Sequence, residues 1–418
     1  MKKYDTYKDS GIEWIGEIPE GWNCKRFKYC FDLISEKTKT ALPKIGLENI
    51  DSWTGKYLKT STEFEGDGEV FEVDDILYGK LRPYLAKVLL ANFSGKAVGD
   101  IFVFRSKDEI IPGYGHRLIL SKPFIEITNS STFGSKMPRV SWEFISDLEI
   151  PIPTKPEQTQ IANYLDRKTT EIDQLITDKK ALVELYKEEK TAIINQAVTK
   201  GINPDAKMKD SGIEWLGEIP EHWEVIRGKY LYEILSGFAP SNFELNKRTI
   251  EYYKVDDLNY LNGEFILQGL GNQVEELENI NPYPKGTILF PKRGAAINLN
   301  KIAITQNLCY FDTNLMGLKI ISSRILKMFL CHFISNRGLI DIADTSTIPQ
   351  INNKHISPME VILPPFEEQT QIVQQIEAET QRIENKIIVA EMYITLLTEY
   401  RTALISEVVT GKIKVAEA

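Results

Sequence analysis

The stretch KDSGIEWIGEIPEGW at residues 8–22 returns as KDSGIEWLGEIPEHW at residues 209–223, at a constant offset of 201 residues. A second repeated block, PTKPEQTQI at residues 153–161, corresponds to PPFEEQTQI at residues 364–372, at an offset of 211. The segment between the two blocks is therefore 10 residues longer in the second copy. Between the blocks the copies show almost no similarity. We infer a repeated frame that holds two different inserts.

The bulk composition narrows the class of protein. At 418 residues, the chain is long enough for two or three domains. Apolar runs fall short of the roughly 20 residues that span a bilayer, and the N-terminus lacks an apolar signal core, so a cytoplasmic location is expected. The net charge of −9 argues against a protein that coats nucleic acid unaided. Local basic loops or a basic partner would still allow specific binding.

The four cysteines and four histidines show no metal-ligand spacing. No cysteine occupies a shared position in the two copies, which argues against a disulfide frame. We expect buried thiols and no metal centre.

After each second block the chain loses glycine and proline, and apolar residues recur at heptad spacing. Two helices of about 43 residues would each be about 65 Å long, too long to bury a seam against one small domain. Connectivity requires the two to pair antiparallel, so the end of the chain should lie near its beginning. Leu175 and Tyr393 fall on the predicted seam. The other predicted helix-pair or partner-interface residues are Ile161, Leu165, Ile172, Leu182, Ile193, Ile372, Ile376, Ile383, Leu397 and Leu404.

The predicted fold class is α+β, with two globular α/β domains separated by two long antiparallel coiled-coil helices in an internal pseudo-two-fold repeat. Residues 69–73, 97–105 and 251–255 are predicted strands because β-branched and aromatic residues alternate there with turn clusters. The paired tryptophans of each first block are expected to be structural. The predicted segments are a first domain at 1–155, a helix at 156–200, a linker at 201–208, a second domain at 209–363, a helix at 364–411 and a tail at 412–418.

The sequence contains no motif that indicates a catalytic site. Leu363-Pro364-Pro365-Phe366 resembles the loop of amino-methyltransferases, but a leucine stands where the residue that accepts a hydrogen bond from the amine should be. A proline pair at the start of a helix is the better interpretation. Residues 269–274 lack the third glycine of a dinucleotide fingerprint. The chain is expected to catalyse nothing by itself.

Two basic loops stand at corresponding places in the two inserts. Residues 77–87 follow an acidic turn and contain two tyrosines, and residues 291–301 follow an apolar strand-like run. Arginine and lysine suit phosphate oxygens and guanine, and asparagine suits adenine. One such loop alone would be read as a solvated turn, but its occurrence in both inserts favours DNA contact. The candidates in these loops are Lys80, Arg82, Tyr84, Lys87, Lys292, Arg293, Asn298, Asn300 and Lys301.

A second matched pair of polar stretches precedes the run into each long helix, at residues 134–139 and 344–350. These segments add further candidates for DNA contact. They are Ser135, Lys136, Arg139, Thr345, Thr347 and Gln350.

Three motifs together resemble the specificity subunit of Type I restriction-modification systems. They are the SGIEWxGEIPxxW block, the LYGKLRPY loop at residues 77–84 and the PxxEQxxI opening of each long helix. The resemblance covers essentially the whole chain. The second copy departs from it at Phe290-Pro291-Lys292-Arg293, which replaces the loop of the first.

The resemblance implies that each insert reads one half of a split, asymmetric double-stranded DNA site. It also implies two methyltransferase subunits docked along the helices, joined by restriction and translocase subunits. S-adenosylmethionine, ATP and magnesium would belong to those partners and not to this chain. Independently of the family, two DNA-binding domains held apart by rigid helices would fix the number of base pairs between the two sequences that they bind. The alternatives are a scaffold that joins two ligand-binding or protein-binding domains, and a self-contained methyltransferase, for which no cofactor fingerprint is found.

Overall fold

A computed structural model describes the chain as two compact units. Unit 1 comprises residues 1–182 and 389–418, and unit 2 comprises residues 183–388. We call residues 23–152 insert 1 and residues 224–363 insert 2. The described residues are 2–38, 40–62, 64–134, 136–239, 250–259, 261–262, 265–267, 272–275, 280–344 and 348–415.

Insert 1 and its flanks form small sheets, antiparallel except where β5 pairs with β9, with short helices packed against them. The strands are β1 Tyr7–Asp9, β2 Glu17–Pro19, β3 Asn23–Arg26, β4 Phe31–Ile34, β5 Lys44–Ile45, β6 Glu69–Phe71, β7 Ile76–Gly79, β8 Val88–Leu90, β9 Gly95–Ala97, β10 Ile101–Ser106 and β11 Glu149–Ile152. The helices are α1 Phe27–Cys30, α2 Pro112–Ile119, α3 Lys122–Ser130, α4 Trp142–Asp147 and the long α5 Lys155–Lys200.

Insert 2 and its flanks repeat this plan. The strands are β12 Met208–Asp210, β13 Glu218–Pro220, β14 Glu224–Arg227, β15 Tyr232–Ser236, β16 Ile250–Tyr253, β17 Leu261–Asn262, β18 Ile266–Leu267, β19 Asn272–Val274, β20 Ile288–Pro291, β21 Ala303–Ile304, β22 Cys309–Phe311, β23 Leu315–Ile320 and β24 Glu360–Leu363. The helices are α6 Lys327–Arg337, α7 Leu339–Ile342, α8 Asn353–Ile356 and the long α9 Phe366–Val409.

The two inserts share a sheet although their sequences do not match. The strand order β4-β10-β7-β8 in unit 1 is repeated as β15-β23-β20-β21 in unit 2, and neighbouring strands are antiparallel in both. In unit 2, β18 and β17 extend the sheet, with β18 parallel to β21. The two inserts therefore differ in sequence, as predicted, but they share one core sheet. The strands predicted at 69–73, 97–105 and 251–255 are present in shorter or shifted form as β6, β10 and β16.

The tryptophan that ends each repeated first block is buried at the base of its unit. Trp22 is 1% exposed, and its Nε1–H donates to Glu157 Oε2 at 3.0 Å. Trp223 is fully buried in unit 2. Glu157 opens α5, so Trp22 ties the repeated block to the start of the long helix. The structural role predicted for the paired tryptophans is thus confirmed for Trp22 and Trp223, whereas Trp215 is 37% exposed.

A buried glutamine joins each insert to the first turn of its long helix. Gln158 accepts a hydrogen bond from Ile111 N at 2.8 Å and donates to the carbonyl oxygens of Glu109 and Pro153, both at 3.0 Å. These bonds satisfy three backbone groups that have no partner within a helix or sheet. This arrangement explains why glutamine occurs at this point of the EQ motif.

Gln369 repeats the arrangement in unit 2. It accepts from Leu326 N at 2.7 Å and donates to the carbonyl oxygens of Arg324 and Pro364, both at 2.8 Å. Both glutamines are fully buried. The proline pair at 364–365 therefore precedes the helix and contributes a carbonyl to this contact, in agreement with its interpretation as the start of a helix.

The long helices end close to the predicted positions. α5 begins one residue before the predicted 156 and ends at 200, and α9 begins two residues after 364 and ends two residues before 411. Gly201 and Gly411 follow the helices with φ of 75° and 76°, the left-handed conformation that glycine adopts without strain. No described helix is long and apolar enough to cross a membrane.

Within each unit, α5 and α9 pack against each other in antiparallel order. In unit 1, Asp173 Oδ1 lies 2.9 Å from Arg401 Nε, and Lys179 lies over the ring of Tyr393 at 5.6 Å. As the residue number rises along α5, the number of its partner on α9 falls. Unit 1 also joins the ends of the chain, because Lys414 N donates to Lys2 O at 2.9 Å. This contact confirms the prediction that the end of the chain lies near its beginning.

In unit 2 the same antiparallel order holds. Lys190 Nζ lies 2.7 Å from Glu384 Oε1, and Lys386 lies over the ring of Tyr186 at 5.1 Å. Glu384 and Asp173 are 211 residues apart, as are Arg401 and Lys190. The two ion pairs therefore occupy equivalent places in the repeat.

The predicted seam is right at most positions and wrong at two. Leu175 and Tyr393 are about half exposed, whereas Val183 and Ala390 are buried. The heptad spacing of apolar residues did not predict the buried polar residues of these helices. Thr380 and Arg401 are only 5% and 4% exposed. Among the other predicted positions, Leu182, Ile193 and Leu397 are half-buried, and Ile161, Leu165, Ile172, Ile372, Ile376, Ile383 and Leu404 are buried.

Candidate nucleic-acid interface

Each predicted basic loop leaves the same strand of the shared sheet. In unit 1 the chain leaves β7, forms a 3₁₀ turn at Pro83–Leu85 and enters β8. In unit 2 it leaves β20, forms a 3₁₀ turn at Ala295–Leu299 and enters β21. The turns are flanked by positive φ angles, at Arg82 and Ala86 in unit 1 and at Gly294 and Asn300 in unit 2. Two loops with unlike sequences and different lengths thus follow the same order of strand, 3₁₀ turn and strand.

The second predicted segment of unit 1 pairs with this loop. Arg82 N donates to Pro138 O at 2.8 Å, and Val140 N donates to Lys80 O at 3.1 Å. Phe133 and Arg139 exchange two backbone hydrogen bonds of 3.0 Å. Three short chain segments therefore lie side by side as a small antiparallel sheet.

Unit 2 repeats these four bonds. Gly294 N donates to Pro349 O, and Ile351 N donates to Lys292 O, both at 2.9 Å. Asp344 and Gln350 exchange backbone bonds of 2.9 and 3.0 Å. The residue offsets are 211 or 212 throughout. We call residues 80–87 with 133–140 loop pair 1, and residues 292–301 with 344–351 loop pair 2.

Loop pair 1 presents cations to solvent. Arg82, Tyr84 and Lys136 are exposed. Arg139 is 35% exposed, and its Nε and Nη2 donate to the two carboxylate oxygens of Asp100 at 2.9 and 2.8 Å. This bidentate bond raises the pKa of the Arg139 guanidinium and fixes its plane.

Two other lysines of loop pair 1 are engaged within unit 1. Lys80 is half-buried, with Nζ 4.8 Å from the centre of the Phe102 ring. Lys87 donates to Leu47 O at 2.6 Å and to Ile50 O at 2.9 Å. Lys87 therefore anchors the loop to its own domain, and its predicted DNA contact would require those bonds to be exchanged.

Tyr78, one of the two tyrosines in residues 77–87, belongs to the core of unit 1 and not to the loop. In the structure it lies on β7, is 1% exposed, and donates to Thr128 Oγ1 at 2.9 Å. Burial raises the pKa of its hydroxyl. Tyr78 is therefore part of β7, and the basic loop begins after Gly79.

In loop pair 2, Arg293 and Asn298 are exposed. Lys292 is half-buried, and burial followed by the charge of Arg293 lowers the pKa of its ammonium. The Asn300 side chain donates to Ser335 O at 2.8 Å and accepts from Leu339 N at 2.9 Å, so it holds the loop against α7.

The remaining candidates divide into three groups. Lys301 Nζ contacts Asn259 Oδ1 within unit 2. Gln350 is half-buried at the centre of loop pair 2. Ser135, Thr345 and Thr347 lie outside the described residues. The structure thus brings both predicted segments together in each unit, and the DNA contacts of individual residues stay predictions.

The candidates predicted from the sequence did not include the exposed apolar residues of these surfaces. Phe133 and Met137 are 61% and 48% exposed in loop pair 1, and Ile348 is 60% exposed in loop pair 2. Met137 and Ile348 hold equivalent positions at the offset of 211. A sequence signal was available, because the same offset that aligns the two EQ motifs also aligns these residues.

Comparison with known proteins agrees with this geometry. The family model described as Type I restriction modification DNA specificity domain matches residues 15–185 and again residues 220–390. A putative type I restriction enzyme MjaX specificity subunit from Methanocaldococcus jannaschii is 23% identical, over 96% of each chain. The EcoDI specificity subunit from Escherichia coli is 29% identical over 162 residues, covering 37% of this chain and 36% of that protein.

Solved structures share the fold. A chain from a study of complex assembly and conformational transition of the type I R-M system superposes with a TM-score of 0.71 at 17% identity, covering 95% of this chain and 99% of that one. The HsdS subunit from Thermoanaerobacter tengcongensis gives a TM-score of 0.63 at 16% identity, covering 95% and 98%. Two matches to one family model cover most of the sequence, and the chain therefore belongs to the Type I restriction-modification DNA specificity family.

Proposed function

We propose that this chain is the sequence-specific DNA-recognition subunit of a Type I restriction-modification complex. Insert 1 would bind one half of a bipartite, asymmetric DNA site through loop pair 1, and insert 2 would bind the other half through loop pair 2. The observation that carries the proposal is the pair of loop surfaces that share four backbone hydrogen bonds and present different side chains. Equivalent scaffolds with unlike donors suit two unlike half-sites.

The family favours this function over a scaffold that joins two unrelated ligand-binding domains. The curated relatives are specificity subunits, and a ligand-binding scaffold would not require cations at matched loops in both inserts. Since the ligand is host DNA, we place the protein in the cytoplasm.

The chemistry is assigned to partner subunits. We propose that two methyltransferase subunits dock along α5 and α9 and that restriction and translocase subunits join them. S-adenosylmethionine, ATP and magnesium would be bound by those subunits. The contribution of this chain would be to place the methyltransferase at a chosen base pair, which is a binding task and needs no nucleophile or general base.

The helices would set the number of unread base pairs between the half-sites. Inserting four residues after Leu182 of α5 and four after Ile388 of α9 adds about one turn, or about 6 Å, to each helix. At roughly 3.4 Å per base pair, the preferred spacer should lengthen by one or two pairs. An unchanged spacer would show that the helices do not determine it.

The experiment that tests the function uses the chain co-expressed with its methyltransferase subunit. The purified complex selects from a random 40-base-pair duplex library, and the bound DNA is sequenced. We expect two short motifs at a fixed separation. Arg82→Ala should weaken the contacts with one half-site only, and Arg293→Ala should weaken those with the other. A complex that is assembled and folded but enriches no sequence would overturn the proposal.

A further inference from the structure

In each loop pair, three side chains share one face of the small sheet. Residues directly opposite each other on antiparallel strands point to the same face. The backbone pairs Leu81 with Arg139, and Arg139 with Phe133. We call these three residues row 1.

Row 2 is built in the same way. The backbone pairs Arg293 with Gln350, and Gln350 with Asp344. Each residue of row 2 stands 211 or 212 positions after its counterpart in row 1. The rows are therefore equivalent in backbone position. From one end to the other, the side chains of row 1 are apolar, cationic and apolar, and those of row 2 are cationic, amide and acidic.

The shared backbone does not depend on the identity of these side chains. Phe133, Arg293 and Asp344 are exposed, so they contribute little to either core. The same four backbone bonds form around both sets of residues. The rows can therefore differ in side chains without a change in the backbone that carries them.

The central residue of row 1 is held for bidentate binding. Asp100 occupies the Nε and Nη2 side of the Arg139 guanidinium, and the outer Nη1–Nη2 edge has no hydrogen-bond partner within the described part of the chain. An arginine fixed by a carboxylate loses little side-chain entropy on binding. Its outer edge matches the O6 and N7 acceptors of guanine in the major groove.

The central residue of row 2 has different chemistry. The Gln350 side chain offers one acceptor and two donors, and this set matches N6 and N7 of adenine. Arg293 lies opposite it on the same face, and Lys354 lies 3.8 Å from the carboxylate of Asp344 at the other end of the row. A glutamine cannot bind guanine O6 and N7 with two donors in the way that arginine can.

We propose that the central residue of each row specifies one base, with Arg139 selecting guanine in one half-site and Gln350 selecting adenine in the other. This inference rests on the proposed function, because it assigns the bases read by those surfaces. Leu81 and Phe133 flank Arg139 and would contact the apolar edge of neighbouring bases.

The experiment exchanges the central residues. Arg139→Gln and Gln350→Arg variants, each in the complex with the methyltransferase subunit, select from the same random 40-base-pair library. Arg139→Gln should change one guanine of one half-site to adenine and leave the other half-site as it was. Gln350→Arg should change one adenine of the other half-site to guanine. Arg139→Lys, which keeps the charge but lacks the fork, should lower the preference for guanine by about tenfold or more.

The matched control is Arg82→Gln, which removes an exposed cation of the same loop outside the row. It should lower the affinity for the half-site bound by loop pair 1 and leave the selected bases unchanged. If the wild-type complex yields a motif and Arg139→Gln yields the same motif with equal strength, the row does not specify bases and the proposed function stands. If the wild-type complex yields no motif, both are overturned. A change in both half-sites from one substitution would also contradict the assignment.

Discussion

Loop pair 1 and loop pair 2 share four backbone hydrogen bonds and differ in most of their side chains. Four backbone hydrogen bonds recur at offsets of 211 or 212, although Leu81, Arg139 and Phe133 are replaced by Arg293, Gln350 and Asp344. The comparison shows that backbone hydrogen bonds hold the two loops of each unit together, whereas the exposed side chains form the surface available for recognition. The scaffold depends on bonds between backbone groups, which any side chain tolerates, so the exposed residues are free to differ.

The comparison extends to the contacts beneath the loops, where some side chains are shared by both units and others occur in one only. Shared contacts should have equal energies in the two units, and contacts found in one unit should not. Substitutions at matched positions measure this directly.

The largest effect is expected at the buried glutamines. Gln158→Ala and Gln369→Ala each leave one backbone N–H and two carbonyl groups without their side-chain partner. An unsatisfied buried group costs about 1–3 kcal/mol, so we expect a loss of about 3–6 kcal/mol in the free energy of unfolding of the affected unit. Guanidinium unfolding combined with hydrogen exchange by mass spectrometry measures the loss and assigns it to a unit.

The control uses the neighbouring threonines. Thr159→Ala and Thr370→Ala remove exposed hydroxyls that bond only to the preceding turn of their own helix. These changes should stay within about 0.5 kcal/mol of the wild type. Clearly unequal losses for the two glutamine variants would mean that the two junctions are not equivalent.

The ion pairs between the helices should give unequal effects. Arg401 is 4% exposed and bonds Asp173 Oδ1 at 2.9 Å and Trp53 O at 2.8 Å. Removing it as Arg401→Met leaves the carbonyl oxygens of Trp53 and Thr54 without this donor, while Asp173 keeps its bond to Lys56 Nζ at 2.7 Å, and we expect a loss of about 2–3 kcal/mol. Lys190→Met, at the equivalent position, breaks a more exposed pair with Glu384 and should cost about 1 kcal/mol or less.

Hydrogen exchange in α5 and α9 checks this prediction. Faster exchange should appear in unit 1 for Arg401→Met and hardly at all in unit 2 for Lys190→Met. Equal destabilisation by the two substitutions would show that burial of the ion pair does not decide its strength.

Buried histidines should make both units sensitive to mild acid. Burial, followed by the charge of Arg117, lowers the pKa of His116 to about 3, and burial followed by the charge of Lys190 lowers that of His332 to about 4. In the unfolded chain each would take up a proton near pH 6.5. Stability is therefore complete above pH 6.5 and is lost as the pH falls toward the folded pKa values, by about 2 kcal/mol per histidine between pH 6.5 and 5.

Urea unfolding at a series of pH values measures this loss. His116→Gln should flatten the pH dependence of unit 1, and His332→Gln that of unit 2. A wild-type stability that stays constant from pH 7 to 5 would contradict the predicted uptake of protons on unfolding.

The sequence predicted the parts of this fold that depend on repetition and periodicity. The offsets of 201 and 211 located the tryptophan blocks and the glutamine junctions, and apolar spacing located α5 and α9. Leu175 and Tyr393 were placed on the seam in error, because a periodic pattern assumes apolar residues and cannot show that Arg401 is neutralised by Asp173. That pairing joins residues 228 positions apart, and it becomes visible only when the helices are packed.

The candidate site was predicted as two segments per insert, and their pairing came from the structure. Charge and aromatic content identified Lys80, Arg82, Lys292 and Arg293, but exposure and internal bonds divide such residues into surface and anchoring ones. Lys87 and Asn300 look like DNA ligands in the sequence, yet both bond backbone groups of their own domain. Phe133 was overlooked because an apolar residue in a polar stretch is normally a packing residue.

The smallest effect is expected at the repeated tryptophans. Trp22 Nε1–H donates to Glu157 Oε2 at 3.0 Å, whereas Trp223 Nε1 has no hydrogen-bond partner among the described residues. In unit 2 the equivalent carboxylate, that of Glu368, lies 2.7 Å from His222 Nε2 instead. His222 stands where unit 1 has Gly21, and it takes the acceptor that Trp223 would otherwise use.

Trp22→Phe and Trp223→Phe both remove part of a buried ring, so the cost of lost packing is nearly the same. Trp22→Phe also removes a hydrogen bond, worth about 1 kcal/mol, and should be the more destabilising by that amount. The His222→Gly variant tests the cause, because it frees Glu368 to accept from Trp223. In that background Trp223→Phe should become as costly as Trp22→Phe, and a difference that persists in urea unfolding would show that packing alone distinguishes the two sites.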